Sequence, residues 1–142
     1  MKPSGRIVNL ASTVGRLDKY SDALQDRFRN PASVADVTKL MGEFADAVRR
    51  GKEGEEGWPS AAYAVSKAGV ISMTRILAEE LERDKSTVEV TCCCPGWVVT
   101  DMTKGRGYKT VDEGAQTPVL LALEGSGGRP GTFWTDEKIA EW

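Results

Sequence analysis

The chain contains no histidine among its 142 residues. That removes Ser/His and Cys/His nucleophile pairs and the commonest zinc ligand sets, so any proton chemistry must use other groups. Cysteine is scarce as well. Cys92, Cys93 and Cys94 are consecutive, which supplies neither a disulfide framework nor metal-ligand spacing, and no metal centre is expected. No apolar stretch reaches the roughly 18 residues of a membrane span. Met1-Lys2-Pro3-Ser4-Gly5 is not followed by the continuous apolar core of a leader peptide. A basic footprint for nucleic acid is missing too, since 19 Lys and Arg residues are scattered among 21 Asp and Glu, for a formal net charge of -2. Together these absences predict a cytoplasmic protein in reducing surroundings that binds neither membrane nor nucleic acid.

What is present fits one domain of α/β order. Arg6-Ile7-Val8-Asn9-Leu10-Ala11 is apolar and β-rich, and reads as a short buried strand with Ser12 at its carboxyl end. Ser21 is a candidate cap for a helix to Arg29, in which Leu24 and Phe28 share a face, and Pro31 closes that segment. From Ser33 to Arg50, Val34, Val37, Met41, Phe44 and Val48 recur at helical spacing, so an amphipathic packing helix is expected. Residues 51–57 are charged and glycine-rich, a surface connector without a phosphate-loop signature. The longest helix is expected from Ala61 to Arg83, with Val70, Met73, Leu77 and Leu81 facing a core.

Val88–Cys94 reads as a second buried strand, halted by Pro95-Gly96. A helix is expected from Thr110 or Asp112 to Leu123, although Pro118 lies inside it, and Thr132–Thr135 reads as a last short strand. Strands alternating with helices imply a parallel sheet with right-handed crossovers, and functional groups gather at the carboxyl ends of its strands.

One pair of residues carries chemistry. Tyr63 and Lys67 are four apart on the long helix, which puts phenol and ammonium on one face. A positive charge beside a phenol favours the phenolate, which suits a tyrosine that donates a proton. A half-buried core tyrosine with a solvated lysine one turn on would give the same spacing.

With its flanks, the pair resembles the short-chain dehydrogenase/reductase family. Asn9-Leu10-Ala11-Ser12 is similar to the family's strand ending in an active-site serine. Tyr63-x-x-x-Lys67 is similar to its catalytic helix, and Pro95-Gly96-Trp97-Val98-Val99-Thr100-Asp101-Met102 to its nicotinamide-side loop. The long insertion between Ser12 and Tyr63, Glu56-Gly57-Trp58-Pro59-Ser60 and Cys93-Cys94-Pro95-Gly96-Trp97 resemble the monomeric carbonyl reductases within that family.

The resemblance implies the carboxyl-terminal half of a Rossmann-like doubly wound sheet, with a helical insertion at about 17–57 before the catalytic helix. It implies Ser12, Tyr63 and Lys67 as the catalytic set: Tyr63 as proton donor, Ser12 as hydrogen-bond donor to the substrate oxygen, and Lys67 as the ribose ligand that eases proton release from Tyr63. NADPH is the implied hydride source, with Tyr63, Lys67, Pro95, Gly96, Val98 and Thr100 on its nicotinamide side. Ser12, Val14, Trp97, Met102 and Cys94 would meet a small-molecule aldehyde, ketone or quinone, with glutathione a further candidate at Cys94. Trp97 and Met102 also read as ordinary core residues, and Cys94 as an inert buried thiol.

The chain has no Gly-x-x-x-Gly-x-Gly turn, which in the family brings backbone N–H groups to the pyrophosphate. It is therefore expected to begin where the second half of the enzyme begins. Two functions stay open: an NADPH-dependent carbonyl reductase impaired by that gap, or an inactive remnant that acts as a binding module. A completed enzyme is expected to be a monomer, with residues 33–50 covering the outer side of the catalytic helix.

Overall fold

The computed structural model describes residues 5–142; Met1–Ser4, and with them most of the leader-peptide reading, lie outside the described residues. The elements follow in the order β1 (Arg6–Leu10), α1 (Asp22–Arg29), α2 (Val34–Arg50), α3 (Ala62–Arg83), β2 (Glu89–Cys94), α4 (Val111–Leu123), β3 (Phe133–Thr135) and β4 (Lys138–Ile139). Strands β1, β2 and β3 are parallel neighbours, with Leu10 opposite Cys93 and Cys92 opposite Phe133, and β4 closes the sheet antiparallel to β3. This is the expected α/β arrangement. The antiparallel β4 is additional, and its turn explains why it left no signal. Asp136 and Glu137 take positive φ (49° and 60°) in a two-residue hairpin without the glycine or asparagine that normally marks one.

The three cysteines follow from the pleat. Side chains alternate across a strand, so Cys92 and Cys94 pack with Ala11, Ile71 and Phe133, while Cys93 packs on the other face with Leu121 and Trp134. Small apolar side chains let helices approach β2 from both sides. Burial pushes the thiols of Cys92 and Cys93 up to about 12, which keeps both protonated and inert near neutral pH.

Side chains and a glycine cap the helices, at Ser21 as expected and at three further positions. Ser21 and Ser33 accept from the backbone N–H groups of Leu24 and Asp36, and Gly51 ends α2 in the left-handed conformation. Thr110 and Glu113 form a reciprocal capping box, so α4 starts firmly and continues through Pro118.

Two facial assignments need correction. In α2 the buried line is Val37, Leu40, Phe44 and Ala47, whereas Val48 is exposed and Val34 only half-buried. In α3, Val70, Met73, Leu77 and Leu81 are half-buried, and the deeply buried positions are Val65, Ala68, Gly69, Ile71, Ser72, Thr74, Ile76 and Ala78. The reason is close approach. A Cβ at Gly69 would stand 2.9 Å from Met41 Sδ of α2, and Ser72 Oγ donates to the Phe28 carbonyl at 2.6 Å. Gly69, Ala68 and Ser72 share this tightly packed face with Val65, Ile71 and Ile76, and the small residues among them hide it from a search for an apolar line.

Residues 17–58 contribute a second core beside the sheet. Leu17, Tyr20, Leu24, Phe28, Leu40, Phe44, Ala47 and Trp58 pack with Val65 and Ala68 of α3. Tyr20, Phe28 and Trp58 meet edge to face at centroid distances of 5.4–6.4 Å, contacts each worth about 0.5–1.5 kcal/mol beyond their area. Tyr20 is the exception in this cluster, because its buried phenol oxygen has no hydrogen-bond partner among the described residues.

Removing that hydroxyl should therefore cost nothing. Tyr20→Phe is expected to leave stability unchanged or raise it by about 1 kcal/mol in urea titrations near pH 7. Burial pushes the Tyr20 phenol up to about 12. A raised folded-state pKa means stability that is complete below the unfolded value of about 10 and is lost as pH rises through 12. The wild type should lose that share over this window and the phenylalanine variant should not. A variant destabilised by more than about 1 kcal/mol near pH 7 would mean that the hydroxyl has a partner after all.

Candidate active site

The carboxyl ends of β1, β2 and β3 open onto a crevice of about 1120 Å³. β1 delivers Ser12 to its rim. The Ala11 N–H still bonds the Cys93 carbonyl at 2.7 Å, and then Ser12 caps a short 3-10 turn (Thr13–Gly15), its Oγ accepting from the Val14 N–H at 3.4 Å. The serine hydroxyl hydrogen has no acceptor among the described residues, so it is free to donate into the crevice.

Tyr63 enters from the first turn of α3. Its side chain also lines the crevice, it is 55% exposed, and its phenol oxygen makes no hydrogen bond among the described residues. Lys67, one turn later, carries its ammonium 5.5 Å from the centre of the Tyr63 ring, as the four-residue spacing requires. The same ammonium donates to the Leu10 carbonyl at 2.9 Å. Lys67 is thus outside the crevice wall proper, a point the spacing alone could not show; it bridges α3 to the end of β1 directly behind Ser12.

The Pro95–Met102 segment forms the opposite wall. Pro95, Gly96, Trp97, Val98, Thr100 and Met102 all line the crevice. Trp97 is 52% exposed and Met102 86%, which excludes the core reading of both. Val14 is likewise an exposed wall residue. Cys94 is buried, yet it closes the floor of the crevice; its sulfur accepts from the Gly96 N–H at 3.4 Å and lies 3.9 Å from Thr13 Oγ1.

Several wall residues escaped the sequence reading. Tyr108 meets Trp97 edge to face at 6.3 Å, and Thr13, Arg16, Val111 and Asp136 complete the rim. Tyr108 arrives there through a parallel bridge between Val98 and Lys109, and its N–H donates to the Trp97 carbonyl at 3.0 Å. An isolated bridge between loops has no periodicity to detect.

The apolar character of this wall is compatible with the nicotinamide end of a dinucleotide. Pro95 and Val98 present apolar surface at the strand ends where such cofactors lie, and Gly96, at φ 88°, turns the chain between them.

Comparison with known proteins decides the family. A model of the short chain dehydrogenase family matches residues 49–110, the stretch from the end of α2 to the capping residue of α4. Carbonyl reductase (NADPH) 3 of Rattus norvegicus is 46% identical over 128 residues, 87% of this chain and 46% of that protein. Carbonyl reductase (NADPH) 1 of Homo sapiens is 38% identical over the whole chain and 54% of its own length. The chain belongs to the short-chain dehydrogenase/reductase family. Among solved structures of that family, salutaridine reductase from Papaver somniferum superposes with a TM-score of 0.83 at 30% identity, covering 94% of this chain and 46% of that one. The chain spans about half the length of the curated reductases it matches.

In this short-chain dehydrogenase/reductase site, one glycine sets the distance between the serine turn and the tyrosine helix. A Cβ on Gly15 would stand 2.8 Å from both Ala68 N and the Lys67 carbonyl carbon. Backbone cannot yield as a side chain can, so Gly15→Ala should destabilise the fold by about 1–3 kcal/mol, read from its denaturation midpoint. A change below about 0.5 kcal/mol would show that the turn rides loosely on α3.

Proposed function

We propose that this chain is the catalytic half of an NADPH-dependent carbonyl reductase that reduces aldehyde, ketone or quinone carbonyls. One observation supports the reading above all: Ser12, Tyr63 and the 95–102 wall, distant in sequence, line one crevice at the carboxyl ends of parallel strands. The names of the related rat and human reductases agree with it.

In this mechanism a carbonyl oxygen lies between the Ser12 hydroxyl and the Tyr63 phenol. Ser12 donates a hydrogen bond that polarises the carbonyl, and Tyr63 transfers its proton as negative charge develops on the oxygen. NADPH, when bound, supplies the hydride. The Lys67 ammonium stands beside the phenol ring, and the donors it does not use on the Leu10 carbonyl could hold a ribose hydroxyl. Pro95, Gly96, Val98 and Thr100 would hold the nicotinamide end. Val14, Trp97 and Met102 form an apolar wall for the substrate, with Cys94 on the floor, where glutathione is a further candidate ligand.

The same reading makes the completed enzyme a monomer of the cytoplasm. α2 packs across α3 through Met41 and Gly69, so the helix face that could meet a second copy is covered within the chain. A second reading, a non-enzymatic binding module, draws on the outer edge of β1, which has no partner strand among the described residues and ends in an exposed Leu10.

The test uses residues 1–142 joined behind the amino-terminal half of a carbonyl reductase. Tyr63→Phe should lower kcat for carbonyl reduction by about two to four orders of magnitude, the range for a positioned general acid. Near-full activity in that variant would remove Tyr63 from the mechanism. The 142-residue chain alone should bind NADPH very weakly in fluorescence titrations, because it lacks the glycine-rich pyrophosphate turn. A micromolar dissociation constant for it would contradict this account.

A further inference from the structure

Lys109 belongs to no catalytic motif, yet its side chain is packed along its length and only 16% exposed. A lysine accepts that position only with compensation. Here the compensation is Asp136, whose Oδ1 lies 2.6 Å from Lys109 Nζ while its Oδ2 accepts from the Thr135 hydroxyl at 3.3 Å. Asp136 sits at φ 49° in the β3–β4 turn and itself lines the crevice. The turn is anchored independently, since the Glu137 N–H donates to Thr117 Oγ1 of α4 at 3.1 Å.

Between these ends the lysine touches consecutive residues of the crevice wall. Its N–H donates to the Trp97 carbonyl at 3.2 Å, its carbonyl accepts from the Val99 N–H at 2.9 Å, and it bridges to Val98. Its methylenes run beneath Gly96, where a Cβ would stand 2.9 Å from Lys109 Cδ and 3.1 Å from Cε. The wall is otherwise a loop leaving β2, and Lys109 ties it to the β3–β4 turn.

We propose that Lys109 and Asp136 form a positioning pair that locks the Pro95–Thr100 wall to the β3–β4 turn and so sets where the nicotinamide end of the cofactor lies. The inference rests on the carbonyl reductase reading. Neither residue touches the reacting atoms. The pair fixes the backbone of Gly96 and Val98, and with it the depth of the cofactor-side wall relative to Ser12 and Tyr63.

Two measurements test it. In the 142-residue chain, amide hydrogen exchange at Val99 and Gly96 should accelerate about fivefold or more in Lys109→Met, which keeps the methylenes, and in Asp136→Asn, while amides in the centre of β2 change less than about twofold. In the chain joined to a reductase amino-terminal half, both variants should raise the KM for NADPH about fivefold or more with a smaller change in kcat, and Lys109→Arg should restore most of the loss. Unchanged exchange at Val99 and Gly96, or an NADPH KM within about twofold of wild type, would overturn the proposal. So would equal acceleration throughout the sheet, which marks a global loss of stability. If Lys109→Met does not fold, Asp136→Asn, at a 65% exposed side chain, carries the same readouts. A wild-type fusion that reduces no carbonyl would count against the enzyme reading, while the exchange measurement would still judge the pair.

Discussion

The serine turn after β1 rests directly on the backbone of α3, and the geometry of the crevice depends on that contact. Gly15 lets the turn approach the Lys67–Ala68 peptide without a side chain between them. Lys67 adds its hydrogen bond to the Leu10 carbonyl, and the Trp142 indole N–H adds another, to the Gly15 carbonyl at 2.6 Å. Three links from two parts of the chain, α3 and Trp142, therefore converge on residues 10–15. A free turn would leave Ser12 at no defined distance from Tyr63, and reacting groups lose much of their advantage when misplaced by an ångström.

The same contact explains why α1 and α2 are useful to the crevice. Leu17 and Tyr20 leave the serine turn and enter the core that α1 and α2 build against α3. Those aromatic and aliphatic side chains hold α3 from its outer side, while Ile71 and the cysteines of β2 hold it from the sheet. The tyrosine-bearing turn is thus gripped on two faces although Tyr63 itself projects into solvent. Rigid support beneath an exposed reactive group is the usual arrangement of functional sites.

Much of this was readable from residue patterns, and the failures have physical causes. Strands β1 and β2 announced themselves as apolar runs closed by Ser12-Thr13 and Pro95-Gly96, α1 by its cap Ser21, and α2 by the helical spacing of its apolar residues. The Tyr63–Lys67 spacing placed phenol and ammonium on one side of α3 because helix geometry leaves it no alternative. The buried face of α3 was misread, since Gly69, Ala68 and Ser72 bury deeper than Met73 and Leu77. Contacts between loops were invisible: the Val98–Lys109 bridge, the Trp97–Tyr108 edge and the Asp136–Glu137 hairpin arise from tertiary geometry without a repeating pattern.

In the proposed enzyme one crevice holds both the proton donor and the nicotinamide end of the cofactor. Because only that end should meet this chain, reduced nicotinamide mononucleotide is the decisive probe. Titrated into the isotopically labelled 142-residue chain at millimolar concentrations, it should move the amide resonances of Gly96, Val98 and Thr100 together with those of Ser12 and Tyr63, and leave α1 and α2 unmoved. Shifts confined to surfaces away from the crevice, or no shifts at all in the 95–100 segment, would contradict the account.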